Sequence, residues 1–306
     1  MSADFTPAPI IIPTQLPFEV QAALRSMGPV VAPQPTETLL APLHKKDIPA
    51  DVHIQRDVPY GPHPRNRLDI FRSRPVGSPH TGPCPVLLFV HGGAFMRGDR
   101  QVGDGTFHDN IGLWAARHGM VGVNMSYRLA PEHGWPSAQE DIHHAIQTLQ
   151  DAAIHDPELG GPLVLMGHSA GAAHIAQYLA FPAFHLPTGP AVRAAVLLSG
   201  LFDPQTAERN PPLRAYFGKN ESRYAEMSAI PGLVASALPL WIGYAALDPE
   251  DFIRQAHQLG AATQTGNRPV AVHMLEGHSH MSEIYAIGTT DGAFTTALLN
   301  FVRVAV

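Results

Sequence analysis

A serine lies at the centre of the pentapeptide G-H-S-A-G, residues 167–171. This G-x-S-x-G pattern follows an apolar run that ends at Met166 and precedes an apolar helical segment, the strand–turn–helix context that an activated serine requires. Glycines two residues on either side leave room for a neighbouring strand and helix. The pattern predicts Ser169 as the nucleophile of an acyl transfer; the alternative is an ordinary turn of small residues.

A second motif, H-G-G-A-F at residues 91–95, follows the apolar run that ends at Val90. Two adjacent glycines let the backbone approach a substrate oxygen closely, and the H-G-G type of motif supplies N–H groups to an oxyanion. Losing one such donor typically costs about 3 kcal/mol of transition-state stabilisation. We expect the backbone N–H groups of Gly93, Ala94 and Ala170 to form an oxyanion hole; the alternative is a plain glycine turn.

A candidate carboxylate and a candidate base follow Ser169 along the chain. With this type of turn, the catalytic residues occur in the order Ser, then Asp or Glu, then His. Asp248 directly ends the apolar run 238–247, and His280 lies in the loop after the run that ends at Met274. In the predicted triad, His280 takes the proton of Ser169 and later returns one to the leaving group. Asp248 fixes the tautomer of the ring and stabilises the imidazolium.

Other residues compete for these two roles. Glu250 and Asp251 lie close to Asp248 in the sequence, but they open the predicted helix that follows. His278 lies two residues before His280. Residue type and spacing alone leave the choice between the two histidines open.

Alternating strands and helices must position these residues. Continuous apolar runs suit central parallel strands that are covered on both faces. Six such runs are present, at residues 86–90, 120–125, 162–166, 194–198, 238–242 and 270–274. Two earlier segments, 52–59 and 68–71, alternate like paired antiparallel strands. Helical stretches are predicted over residues 137–153, 170–181, 251–260 and 291–304. The predicted fold class is therefore α/β, with a mostly parallel sheet flanked by helices.

Two segments fall outside this alternation. Residues 1–50 are rich in proline and contain one helical stretch over 17–27, which predicts an N-terminal arm or partial cap; the alternative is a disordered leader. Residues 201–236 are rich in polar and turn residues, and we expect them to form a cap insertion. The catalytic domain is predicted to span residues 51–306.

Composition excludes several classes of protein. The chain has 306 residues, of which 45% are hydrophobic and 15% charged, as in a globular protein. The net charge of −6 comes without a basic block, so we expect no nucleic-acid partner. One cysteine, Cys84, rules out an intramolecular disulfide. Neither a signal peptide nor a transmembrane segment is expected, and the predicted location is cytoplasmic, with no membrane partner.

The chain also contains 18 histidines, a number that raises the question of a metal site. Ligands for a metal must converge from one face of the fold and carry supporting hydrogen bonds. The adjacent His143 and His144 would point apart on a helix. We expect no metal and attribute the histidines to the surface.

Taken together, the motifs resemble those of the hormone-sensitive-lipase-like carboxylesterases, and most closely the branch of arylformamidases and feruloyl-esterase-like enzymes. The motifs that carry the resemblance are H-G-G-A-F-M-R-G-D at 91–99, Y-R-L-A-P-E-H at 127–133, G-H-S-A-G-A-A at 167–173 and L-D-P at 247–249, with weaker matches at 199–204 and 216–218. The resemblance extends over about residues 66–300.

This resemblance implies an α/β-hydrolase fold with an eight-stranded core, catalysis by Ser169, Asp248 and His280, and no cofactor. In such families the catalytic histidine directly precedes an apolar or aromatic residue. His280 precedes Met281, which favours it over His278.

One departure from the family pattern bears on specificity. Ala94 stands where lipase-like members carry a third glycine, and its methyl group together with Phe95 would narrow the substrate pocket. We expect Phe95, Phe202, Phe217 and Met281 to contact substrate. For the aromatic residues of the cap, Phe202 and Phe217, a place in the core is the alternative.

The expected function is a serine carboxylesterase that acts on small to medium or aromatic esters. An arylformamidase, which would cleave an N-formyl amide with the same residues, is the main alternative. A non-catalytic binding protein is a more distant one, disfavoured by the complete triad. The expected partner is a small-molecule ester, and a homodimer is compatible with the sequence.

Overall fold

The computed structural model of the chain describes residues 8–45, 48–73, 82–266 and 268–306. Its strands are β1 (Ile10–Ile12), β2 (His53–Pro59), β3 (Arg67–Arg72), β4 (Val86–Val90), β5 (Val121–Met125), β6 (Leu163–His168), β7 (Ala194–Leu198), β8 (Leu240–Leu247) and β9 (Val272–Ser279). Its α-helices are α1 (Phe18–Met27), α2 (Pro33–Leu40), α3 (Asp109–Arg117), α4 (Ser137–Ala153), α5 (Ala170–Ala180), α6 (Pro211–Phe217), α7 (Ile230–Ala235), α8 (Glu250–Thr263), α9 (Ser282–Tyr285) and α10 (Gly292–Ala305). Short 3₁₀ turns lie at Ala41–Leu43, Pro157–Gly160, Pro182–Phe184 and Glu221–Met227.

The nine strands form one sheet in the order β1-β9-β8-β7-β6-β4-β5-β3-β2. Strand β3 runs antiparallel to β2 and β5, and the other neighbours are parallel. The predicted α/β class with a mostly parallel sheet is confirmed. Eight strands correspond to the predicted ones, and the ninth, β1, comes from the N-terminal arm.

Strand β4 shows why the central runs are continuously apolar. Its side chains alternate between the two faces of the sheet. Val86, Leu88 and Val90 belong to the core under α4 and α5, whereas Leu87 and Phe89 belong to the core on the opposite face. Because helices cover both faces, both sets are buried.

The structure adds helices that the sequence did not predict. Helix α3 contains Gly112, a weak helix former, and a Cβ at that position would lie 2.3 Å from the ring of Phe71. Close packing against β3 thus stabilises a helix that local propensity does not favour. The segment 201–236 is also more regular than expected, because it contains α6, α7 and the 3₁₀ turn at 221–227. Across the described ranges, no helix is both long and apolar enough to cross a membrane.

The N-terminal arm is tied to the domain by a buried carboxylate. Asp291 accepts hydrogen bonds from the Thr14 hydroxyl at 2.7 Å and the Gln15 N–H at 3.0 Å. Its other neighbour is His278, whose Nε2 lies 2.9 Å away, and both side chains are at most 2% exposed. The contact joins the arm, β9 and the start of α10 at one point.

Replacing Asp291 with alanine should lower the free energy of unfolding by about 3 kcal/mol, because the Thr14 hydroxyl and the Gln15 N–H lose the buried carboxylate that accepts from them. Burial acts to raise the pKa of Asp291, but His278 and the hydrogen bonds from the arm hold it below its usual value. The carboxylate's contribution is therefore present at neutral pH, and it is lost as pH falls through that lowered pKa. Urea unfolding at pH 7 and in acid measures both effects.

The matched control is Glu226→Ala, which removes an exposed carboxylate paired with Arg223 and should change stability by less than about 0.5 kcal/mol. Equal effects of the two substitutions would contradict the anchoring role of Asp291.

Candidate active site

Ser169 lies on the sharp turn between β6 and α5, with φ 55° and ψ −121°. A hydrogen bond of 2.9 Å from its N–H to the carbonyl of Leu198 fixes this strained turn to the neighbouring strand β7. The predicted need for small residues is evident at Gly171, where a Cβ would lie 2.0 Å from the carbonyl oxygen of Val90. The turn thus forms only where two strands hold it and a glycine lets β4 approach.

His280 directly follows β9, and its Nδ1 lies 2.7 Å from a carboxylate oxygen of Asp248, which directly follows β8. The other oxygen of Asp248 accepts the Ser199 hydroxyl at 2.6 Å and the Ala245 N–H at 2.8 Å. Three donors thus satisfy a carboxylate whose side chain is fully buried. A neutral His280 ring then carries its proton on Nδ1, which leaves Nε2 free to act as a base.

Ser169 and His280 line the same cavity, at the carboxyl edge of the sheet. No hydrogen bond joins their side chains in this structure. Hydrogen bonds of this kind are often long in unliganded enzymes and shorten when substrate binds. The ring of Phe252 packs 4.4 Å from that of His280 and covers one of its faces.

The predicted oxyanion donors line this cavity as well. Gly93 and Ala94 have φ values of 128° and 52°, and their N–H groups donate no backbone hydrogen bond among the described residues. Ala170 is the first residue of α5, where N–H groups precede the first intrahelical hydrogen bond. Three main-chain donors are therefore available beside Ser169.

Buried contacts hold the oxyanion loop in place. Arg65 donates to the carbonyls of Gly98 and Tyr127, both at 2.7 Å. Tyr127 in turn donates its hydroxyl to the carbonyl of His91 at 2.9 Å, and the two rings stack at 4.3 Å. Burial lowers the pKa of His91 to about 3, so its ring stays neutral. The motif at 127–133 thus supports the loop rather than the chemistry.

The cavity has a volume of about 420 Å³, and three parts of the chain enclose it. The arm contributes Val31, Pro33 and Glu37, and the cap insertion contributes Leu201, Glu208, Asn210, Pro212 and Leu213. The arm is held there by its packing on α9, where the Tyr285 hydroxyl donates to Glu37 at 3.1 Å.

The expected substrate contacts divide into two groups. Phe95 and Met281 line the cavity. Phe202 is fully buried and Phe217 is 4% exposed, and both lie in the core, outside the cavity lining. Their position does not agree with the expectation of direct substrate contact. Phe217 instead packs edge-on against Phe95, at 5.7 Å between ring centres.

None of the competing residues replaces Asp248 or His280 in the hydrogen-bonded pair, although Asp251 also lines the cavity. His278 faces Asp291 and the hydroxyl of Ser282, not Asp248. Asp251 pairs with Arg254 on its own helix. Glu250 opens α8 beyond the strand end that carries the triad carboxylate.

Sequence reasoning missed Ser199, which hydrogen-bonds the carboxylate of Asp248. A serine directly after the buried run 194–198, in the neighbouring strand, was the available signal.

The described residues contain no group of three or more His, Cys, Asp or Glu side chains placed to hold a metal ion. What the site offers is a hydroxyl, a histidine hydrogen-bonded to a carboxylate, and main-chain N–H groups without backbone partners within the described ranges, an arrangement that suits acyl transfer.

Replacing Gly93 with alanine should lower kcat at least about 100-fold, because the new Cβ would lie 2.0 Å from the Arg97 carbonyl and displace an oxyanion donor. The control is Gly189→Ala, at a φ of 104° but with no atom within 4 Å of the new Cβ. Steady-state kinetics of both variants, with thermal unfolding to check folding, makes the comparison. Equal activity in the two variants would rule out Gly93 as part of the hole.

Known proteins share this arrangement. Residues 87–283 match the α/β-hydrolase fold family. Esterase LipI of Mycobacterium tuberculosis is 31% identical over 254 residues, which cover 71% of this chain and 76% of that protein. Kynurenine formamidase of Danio rerio is 22% identical over 255 residues, 80% of this chain and 81% of that protein. A thermostable esterase from Pseudomonas putida shares the fold, with a TM-score of 0.67 and 18% identity over 95% of this chain and 97% of that chain. These matches confirm the resemblance drawn from the motifs, and the chain belongs to the α/β-hydrolase fold family.

Proposed function

We propose that this protein is a serine carboxylesterase that hydrolyses small to medium or aromatic carboxylic esters through an acyl-enzyme on Ser169. The observation that supports this proposal most strongly is that His280, which is hydrogen-bonded to Asp248, lines one cavity together with Ser169, Gly93 and Ala94. The relatives named as esterases support ester hydrolysis as the reaction class.

In the first half of the reaction, the hydroxyl oxygen of Ser169 attacks the ester carbonyl while Nε2 of His280 takes its proton. The negative charge that develops on the carbonyl oxygen is stabilised by the N–H groups of Gly93, Ala94 and Ala170. His280 then gives its proton to the departing alcohol, and the acyl group remains on Ser169.

In the second half, water attacks the acyl-enzyme and the same groups act again. His280 takes a proton from the water, the oxyanion hole holds the second tetrahedral intermediate, and Ser169 regains its proton as the acid leaves. Asp248 stays ionised throughout and stabilises the imidazolium that forms twice per turnover.

The cavity favours compact substrates. Its volume of about 420 Å³ lies near the lower end of the range for small-molecule sites. Residues 31–37 of the arm and 201–213 of the cap insertion close it from above, so the arm acts as a partial cap. Mostly apolar walls, such as Phe95, Leu213 and Met281, suit a short aliphatic or an aromatic acyl group.

Formamide hydrolysis is the second candidate. The similarity to a kynurenine formamidase extends over 80% of the chain, and cleavage of an N-formyl amide would use the same nucleophile, base and oxyanion hole. The difference lies in the leaving group, which is an amine rather than an alcohol.

Substituting Ser169 with alanine should lower kcat for p-nitrophenyl butyrate by roughly three orders of magnitude or more, because no acyl-enzyme can form. The fold should persist, with an unchanged far-UV circular dichroism spectrum. Ser222→Ala, which removes an exposed hydroxyl of the cap, is the control and should turn over normally. Near-normal turnover by the Ser169 variant would refute the assignment.

A substrate series should separate the two candidate functions. We expect kcat/KM for p-nitrophenyl esters to be highest for short or aromatic acyl groups and to fall as the chain outgrows the cavity. N-formylkynurenine should be cleaved more slowly than the best ester. Formamide turnover well above ester turnover would reverse this order and identify an arylformamidase.

A further inference from the structure

A second carboxyl lies behind the triad, and the mechanism above does not use it. Glu283 is in the short helix α9, three residues after His280, and its side chain is fully buried. Neither of its oxygens has a hydrogen-bond partner within the described ranges. A buried carboxyl without a partner is costly, so its position beside a catalytic pair calls for a physical explanation.

Three polar neighbours of Glu283, namely His168, Asp248 and Ser199, belong to the site. One oxygen lies 3.3 Å from Nε2 of His168, the residue that precedes the nucleophile. Asp248 is close enough for its negative charge to disfavour ionisation of Glu283, and the hydroxyl of Ser199 faces the carboxyl. Glu283 therefore lies at the junction of the turns that follow β6, β7, β8 and β9.

His168 connects this junction to the catalytic base. Its Nε2 lies 2.7 Å from the main-chain carbonyl of His280, to which it donates, and the two rings lie 4.6 Å apart. Burial, together with the charge of His280, lowers the pKa of His168 well below its usual value. Its ring is neutral, so it offers no positive charge to the carboxyl beside it.

Glu283 is therefore uncharged at neutral pH. Burial and then the neighbouring charge of Asp248 raise its pKa well above the usual range. In the described part of the arm, the ionisable groups that contact α9 are Glu37 and His44, both at Tyr285, and burial lowers the pKa of His44. A protonated carboxyl has one oxygen that accepts and one hydroxyl that donates.

We propose that Glu283 is a positioning residue for the triad, which holds the main chain of His280 through His168 and the carboxylate of Asp248 through Ser199. The single Nε2–H of His168 points to the His280 carbonyl, and the carbonyl oxygen of the neutral carboxyl, 3.3 Å away, serves as its second and weaker acceptor. The carboxyl O–H turns to the hydroxyl of Ser199. That hydroxyl in turn donates to Asp248. Ionisation would place a second negative charge beside Asp248 and favour the protonated, inactive His280 ring. The inference rests on the proposed function, because turnover is one of its readouts.

Two substitutions of similar size test it. Glutamine reproduces the acceptor and the donor of the neutral carboxyl, so Glu283→Gln should keep kcat within about threefold and leave the acid limb of the pH–rate profile in place. Leucine fills the space but offers neither group, so Glu283→Leu should lower kcat roughly 10- to 100-fold with KM changed less than about twofold. Thermal unfolding confirms that each variant is folded.

Two outcomes would overturn the inference. If leucine and glutamine both retained wild-type kcat, Glu283 would only fill space. If glutamine lost as much activity as leucine and its acid limb moved to lower pH, Glu283 would act as a charged carboxylate instead. If the leucine variant does not fold, Glu283→Met, a second apolar side chain of similar length, takes its place in the comparison, with the same loss of kcat expected and with wild-type kcat overturning the inference.

An infrared difference spectrum between wild type and Glu283→Gln at neutral pH tests the protonation state without any substrate. It should show the carbonyl stretch of a protonated carboxyl in the wild type, and its absence would contradict the inference. Equal turnover by wild type and Ser169→Ala would instead reject the proposed function, so the two failures are distinguishable.

Discussion

The backbone of Ser169 is the constraint on which the rest of the site depends. A non-glycine residue at positive φ of this kind typically costs about 1–3 kcal/mol and persists only where the surroundings enforce it. Here β7 binds its N–H, β4 passes against Gly171, and α5 starts at the next residue. The same arrangement that lifts the hydroxyl above the sheet also places the first N–H of α5 beside it. Nucleophile and oxyanion donor are thus products of one turn.

The electrostatics around Ser169 depend on the buried carboxylate of Asp248. Asp248 accepts hydrogen bonds from His280, Ser199 and the N–H of Ala245. Burying an ion without such donors would cost several kcal/mol. Several histidines are buried around the site, which does not agree with the expected surface location. Burial lowers the pKa of His91, His108 and His168, so their rings are neutral. In the proposed mechanism, the imidazolium of His280 is stabilised by the carboxylate of Asp248 at Nδ1. Proton transfer to and from Ser169 therefore takes place at Nε2.

The residues of the proposed triad could be located because Ser169 and Asp248 directly follow buried apolar runs, and parallel strands bring their carboxyl ends to one edge of the sheet. The choice of His280 over His278 depended on the family resemblance. The sequence E-G-H at 276–278 interrupts the apolar pattern, so the continuation of β9 to Ser279 was not recognisable. Side-chain direction was not predictable from residue type, so Phe202 and Phe217 proved to be core residues. Ser199 and Glu283 were missed because their role depends on tertiary neighbours that no local pattern encodes. Strand β1 was missed because a three-residue edge strand has too short a pattern to recognise.

The central claim is that one activated serine, Ser169, carries the reaction. Labelling with diethyl p-nitrophenyl phosphate, followed by peptide mass spectrometry, measures this most directly, since the reagent phosphorylates a serine only where a base and an oxyanion hole activate it. We predict one diethylphosphoryl group per chain, on the peptide that contains Ser169, with loss of esterase activity in step with labelling. Full loss of activity with the label on another residue, or labelling of Ser169 that leaves activity intact, would contradict the account.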